Sequence, residues 1–212
     1  MHTVGPRERH RRQTREEILD AALAVISELG AGALNMSEVA RRVGLRQPSL
    51  YQYFDSRLAL YDALFERGMA QHLDRVRAAA DTNAPGLPTL RAIVCATIAF
   101  TIEQPALTQL LFRPAVPGFE PSEQAYRPSL EVQHLIDAAI AAAIERRELH
   151  PAAGSQQGTG LLVALTAGIS SLQLGNDQFA RPGAGRFLPL VQPAVDMFAA
   201  YFAPEKPAAW KP

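Results

Sequence analysis

Apolar residues recur at helical spacing along almost the whole chain, and no run shows the alternation of a strand. Ile18, Ala22, Val25, Ile26 and Leu29 make one such stripe, which predicts a helix from about Thr14 to Leu29. Thr14 with Glu17 reads as a capping box at its start, and Gly30 as its stop. Asn35 with Glu38 reads as a second capping box, for a short helix Met36 to Val43. A third helix is expected from Gln47 to Tyr53, with Pro48 in its first turn, where a missing N–H does no harm. Asp55 or Ser56 should cap a long fourth helix to about Ala80, burying Leu58, Leu60, Tyr61, Leu64, Phe65, Met69 and Leu73. Five further helices follow: Pro88 to Glu103, Pro105 to Arg113, Ser122 to Leu149 with Pro128 inside, Gln156 to Leu174, and Gly185 to Phe202. The predicted fold class is all-α: a three-helix head over residues 1–55, a body of helices over 56–203, and a disordered, proline-rich tail at 204–212.

Between Asn35 and Phe54 the pattern is that of a helix-turn-helix. Val39, Val43, Leu45 and Leu50 are apolar where two crossing helices share a core, and Ala40 is small where they cross. Gly44 stands where the turn needs a positive φ. Leu50 and Phe54 lie four apart on one face and read as core. Gln47, Ser49, Tyr51, Gln52 and Tyr53 are left for the outside, a polar and aromatic set suited to a DNA major groove.

Composition changes this picture little. Hydrophobic content is 48% and formal net charge is zero, so the 212-residue chain has a real core and is no polyelectrolyte. The charge is unevenly placed: Arg7, Arg9, Arg11, Arg12 and Arg15 face only Glu8 among the first fifteen residues. That segment reads either as a contact for phosphates or as a solvated tail. Cys95 is the single cysteine and reads as a small apolar residue. No apolar run follows the basic N-terminus, so no secretory leader is expected. The apolar stretch from Gly160 to Gly175 falls short of the roughly 20 residues a bilayer requires, so no membrane span is expected. A cytoplasmic protein is implied.

Head, connecting helix and helical body together resemble the TetR family of bacterial transcriptional regulators. The likeness rests on Ala21, Ala22 and Gly30, on Val39-Ala40-Arg41-Arg42-Val43-Gly44-Leu45, and on Ser49-Leu50-Tyr51-Gln52-Tyr53-Phe54 followed by Ser56-Arg57-Leu58-Ala59-Leu60. The chain departs from the family pattern at Arg57, where lysine is usual, at Arg46, where Ser or Thr commonly caps, and at Pro48, where Gly or Ala is common. The resemblance implies a homodimer that binds an operator and releases it when a small molecule enters the body through a tilt of helix four.

The residues expected at DNA are Asn35, Arg46, Gln47, Pro48, Ser49, Tyr51, Gln52, Tyr53 and Arg57. Arg57, at the start of helix four, would grip one phosphate. Gln47 and Gln52 could read adenine through a bidentate amide, and Tyr51 could lie against a thymine methyl. Arg41 and Arg42 read as a solvated helix face. Two heads on successive groove faces would read a palindrome, so the body must dimerise. Helix eight carries small residues at spacing four, and the expected interface comprises Leu161, Leu165, Gly168, Leu172, Val191, Val195, Phe198 and Phe202. An effector pocket is expected among Phe100, Gln104, Leu107, Phe112, Tyr126, His134 and Thr166, whose apolar tone suits a hydrophobic or aromatic small molecule. No cofactor and no metal are expected. Neither HExxH spacing, nor a glycine-rich phosphate loop, nor a nucleophile elbow occurs, which disfavours an enzyme. The rival reading is a helical adaptor or small-molecule-binding protein whose head takes a protein partner.

Overall fold

The computed structural model describes residues 5–112, 116–176 and 185–204. Among these, the chain is all-α and carries no strand. The helices are α1 (Pro6–Leu29), α2 (Met36–Arg42), α3 (Gln47–Leu50), α4 (Arg57–Asp81), α5 (Leu87–Glu103), α6 (Pro105–Phe112), α7 (Glu123–Glu145), α8 (Gln156–Asn176) and α9 (Val191–Tyr201). Two compact units result. One groups the chain up to Met69 with Gln104–Arg127, the other groups Ala70–Glu103 with the chain from Pro128 onward. The division expected from the sequence, at residues 55 and 56, follows expected roles. By packing, α6 sits with the head, against α1. The expected tail lies outside the described residues from residue 205 on.

In the first unit, α1 starts eight residues before the expected Thr14. Pro6, in the first turn, has no N–H to leave unpaired, and the arginines that follow are good helix formers. Thr14 is therefore a buried mid-helix residue and caps nothing. Gly30, at φ 84°, ends the helix and returns its N–H to the Ile26 carbonyl. Leu29, expected in the buried stripe, is 59% exposed because it falls in the last turn, past the core. Asn35 caps α2: its Oδ1 accepts from the Glu38 N–H at 2.8 Å. The reciprocal half of that capping box is missing, since the Glu38 carboxylate binds Arg41 and Arg42 instead. At the other end, Gly44 (φ 68°) and Leu45 return their N–H groups to Arg41 and Ala40, the double bond of a Schellman motif.

Helix α3 is one turn long. The chain beyond Leu50 tightens into bonds from Gln52 to Ser49 and from Tyr53 to Leu50, so Tyr51–Tyr53 form a turn where helix was expected. Ser56 caps α4 through the Ala59 N–H at 3.0 Å. Leu60, Tyr61, Leu64, Phe65 and Met69 are buried as expected, whereas Leu58, in the first turn, is 44% exposed. The Tyr61 hydroxyl donates to the Ala31 carbonyl, and Arg67 holds Asp20 at 2.7 Å, pinning α4 to α1.

In the second unit, α5 packs on α8 and α9. Leu90, Ile93, Ile98 and Phe100 of α5 are buried, as are Ile169 of α8 and Val195 and Phe198 of α9. Burying each such side chain contributes about 1.5–3 kcal/mol. The Thr101 hydroxyl meets that of Ser170 at 3.2 Å, and Arg91 pairs with Asp196 at 2.5 Å. Helix α7 stops at Glu145, short of Leu149, because Arg147 turns to φ 58°. A 3-10 turn over Leu188–Leu190 delays α9 to Val191. Helix α8 is longer than the apolar stretch suggested. At 21 residues it is long and apolar enough to cross a bilayer, which corrects the expectation made from length, and it packs here against α5 and α9.

Candidate nucleic-acid interface

The turn after α2 leads into the short α3, which packs on α2. Leu50 is fully buried and Phe54 nearly so, and both anchor the unit from inside. The Arg15 guanidinium lies 4.5 Å from the centroid of the Phe54 ring, a cation–π contact that tethers α1 beside the turn. With Leu50 inside, the side chains around it point out. Arg46, Gln47, Pro48, Gln52 and Arg57 are exposed, Tyr51 is 42% exposed, and Ser49 and Tyr53 are half-buried. Asn35 is exposed at the start of α2, its side-chain oxygen engaged with Ser37 and the Glu38 N–H. The candidate DNA residues thus come from three places: the start of α2, α3 with its following turn, and the start of α4.

The flanking charges are arranged differently from this surface. Glu38 accepts from Arg41 at 2.8 Å and from Arg42 at 2.7 Å, and these two guanidinium groups hold its carboxyl down at about 2. Arg42 also reaches back to Glu28 on α1 at 2.6 Å, and the two carboxylates raise its own basicity. Arg42 is therefore a bracket between α1 and α2. Its partner Glu28 had no signal in the sequence, because fourteen positions separate the two. Arg46 and Arg57, which flank α3 and its following turn in the chain, are both exposed.

Residues 18–64, which contain this whole arrangement, match the model of the bacterial regulatory proteins, tetR family. This region resembles the TetR family of regulators. The chain is similar to FasR, an HTH-type transcriptional activator of Mycolicibacterium smegmatis, at 38% identity across 84 residues, 40% of this chain and 38% of that protein. It is similar also to tetracycline repressor protein class D of Escherichia coli, at 38% identity over 63 residues, 30% of this chain and 29% of that one. The chain therefore spans well under half the length of these relatives. The crystal structure of the regulatory protein SCO4313 superposes with a TM-score of 0.74 at 27% identity, covering 92% of this chain and 98% of that one. FadR from Bacillus subtilis, in complex with stearoyl-CoA, superposes at 0.68 over 87% of this chain and 97% of that one; at 18% identity the likeness is one of fold.

The remaining candidates are dispersed. Gln104, Leu107, Phe112 and Tyr126 belong to the first unit, and Phe100, His134 and Thr166 to the second. Phe100 and Leu107 are buried core, Phe112, Tyr126 and His134 are exposed, and Thr166 gives its hydroxyl to the Leu162 carbonyl. His134, expected at the effector pocket, is exposed on α7. On α8, Leu172 is 46% exposed, Gly168 is exposed, and Leu161 and Leu165 are half-buried. On α9 the expected interface residues Val191, Val195, Phe198 and Phe202 are buried within the subunit, where Phe198 and Phe202 pack at 5.0 Å. The outer side of α9 instead carries Leu190, Met197 and Tyr201, all more than two-fifths exposed. Both sides of that helix are apolar, so periodicity alone did not tell core from surface. Leu161, Leu165, Met197 and Tyr201 line a shallow apolar groove of about 670 Å³.

Proposed function

We propose that the protein is a ligand-responsive transcriptional regulator that binds a palindromic operator as a homodimer and is released by a small hydrophobic effector. The observation that carries the reading is the set of exposed side chains around buried Leu50: Gln47, Tyr51 and Gln52, with Arg46 before them and Arg57 after them in the chain. Polar side chains that read base edges, flanked by cations for phosphates, are what a major-groove element requires. Asn35, Pro48, Ser49 and Tyr53 complete the proposed contact set.

Dimerisation is supported by one apolar flank of α8 and α9, where Leu172, Leu190, Met197 and Tyr201 are exposed and Leu161, Leu165, Met197 and Tyr201 line a common groove. Exposed apolar side chains gathered on one flank are what a partner surface covers. A two-fold pairing of these helices would bury that flank and would present two heads at once. In this mechanism, two populations differ in head spacing; DNA selects one and the effector the other. Repression is the proposed mode. A fold of this kind holds stearoyl-CoA in FadR from Bacillus subtilis, in keeping with an apolar effector.

Selection of bound sequences from random duplex DNA tests the proposal. The expected product is a palindrome with half-site centres roughly 34 Å apart or somewhat wider. Enrichment of a single asymmetric site, or of none, would remove the operator reading. A thermal-shift screen tests the effector: if only highly charged metabolites stabilise the protein, a hydrophobic ligand is wrong.

A further inference from the structure

We propose that the first two turns of α1 form a second phosphate-binding strip, which carries the sugar–phosphate strand flanking the bases read by α3. The inference rests on the reading of the head as a duplex-DNA binder. It starts from register. Thr14, Ile18, Ala22 and Val25 occupy one face of α1 and are buried in the head. Stepping back along that face by three and four residues reaches Arg11, His10 and Arg7. Because α1 runs unbroken from Pro6, these side chains leave the helix on the side that packs, but beyond the end of the apolar core.

There they meet the DNA-reading turn. The Arg11 Nη2 donates to the Gln52 carbonyl oxygen at 3.4 Å, a long bond that brings the guanidinium over the turn. Arg7, His10, Arg11, Gln52 and Tyr53 together line a groove of about 390 Å³. Two guanidinium groups, an imidazole, an amide and a phenol offer donors to a run of phosphate oxygens, and no carboxylate lines the groove. Of the acids of α1, Asp20 and Glu16 hold Arg67, Glu17 accepts from Gln13, and Glu8, about 100° around the helix from Arg7, does not line the groove. Arg9 lies about 200° around the helix from Arg7, on the far side, at roughly 100° per residue. Position on the helix therefore separates arginines that sequence alone leaves equivalent.

The test is binding of the full chain to a fluorescent mixed-sequence duplex of about 30 base pairs across a salt titration, where each phosphate contact contributes about 0.9 to the log–log slope. Arg7→Ala and Arg11→Ala should each lower the slope by about 0.9 per bound head, whereas Arg9→Ala should leave it unchanged. Arg11→Lys, which keeps the charge and breaks the bond to Gln52, should retain the slope. Equal effects of Arg7→Ala and Arg9→Ala, or loss of the slope in Arg11→Lys, would overturn the strip. Inorganic phosphate at millimolar concentration should not displace the duplex; displacement would mean a site for the free anion. A wild-type protein that ignores duplex DNA takes down the functional reading and the strip together. Wild-type binding with an unaltered Arg7→Ala slope sinks the strip alone.

Discussion

His72 gives the second unit a pH dependence whose size follows from its surroundings. It is 2% exposed on α4, its Nε2 lies 3.1 Å from the Thr97 hydroxyl, and its ring packs 5.1 Å from that of Phe100. Burial, reinforced by the charge of Arg75, lowers its pKa from 6.5 to about 4. The unfolded chain therefore binds a proton more readily than the folded one between those values. Stability from this site is complete above the unfolded value and is lost as pH falls toward the folded one. The gap corresponds to about 3 kcal/mol, at roughly 1.4 kcal/mol for each pH unit. His72→Gln places a neutral amide near Thr97 and removes the titration. Urea unfolding of both proteins at equal subunit concentration, at about pH 7 and about pH 4, measures the difference, with carboxylates common to both cancelling. The wild type should lose about 3 kcal/mol more than the variant over that interval. Parallel losses would refute the argument and would mean that the imidazole is hydrated or takes its proton without leaving the core.

Three other substitutions probe the remaining claims. Tyr51→Ala should weaken operator binding by about 1–3 kcal/mol per half-site while leaving folding and dimerisation intact, read by gel shift alongside light scattering. Gly44→Ala meets no atom within 4 Å, so only the φ of 68° opposes it, and thermal melting should register a loss of about 1–2 kcal/mol. Met197→Asp places a charge where the side chain is 66% exposed. The subunit should keep its helicity and the dimer should dissociate in sedimentation; an intact dimer would move the interface elsewhere.

Much of the head was legible because its signals are local. Asn35, Gly44, Pro48 and Ser56 each act within a few residues of themselves, and each does what its type and position suggested. The start of α1 was misread because Thr14 and Glu17 imitate a cap, while the arginines before them mask a helix that Pro6 begins. The Glu28–Arg42 bracket, the grouping of α6 with the head and the seating of Arg11 on Gln52 all join residues far apart in the chain, and no local pattern encodes them. On α9 the sequence offered two apolar sides, and only the packing of Val195, Phe198 and Phe202 against the rest of the unit assigns one of them to the interior.

That uncovered flank of Met197, Tyr201 and Leu190 has a consequence for the protein's life in a cell. A newly synthesised copy without a mate carries greasy surface that quality-control machinery can grip. Under the proposed pairing, survival would rise with the protein's own abundance, since each pairing event would hide that surface. Scarce molecules would be cleared and plentiful ones spared, a threshold written into one short helix and not into the gene's promoter.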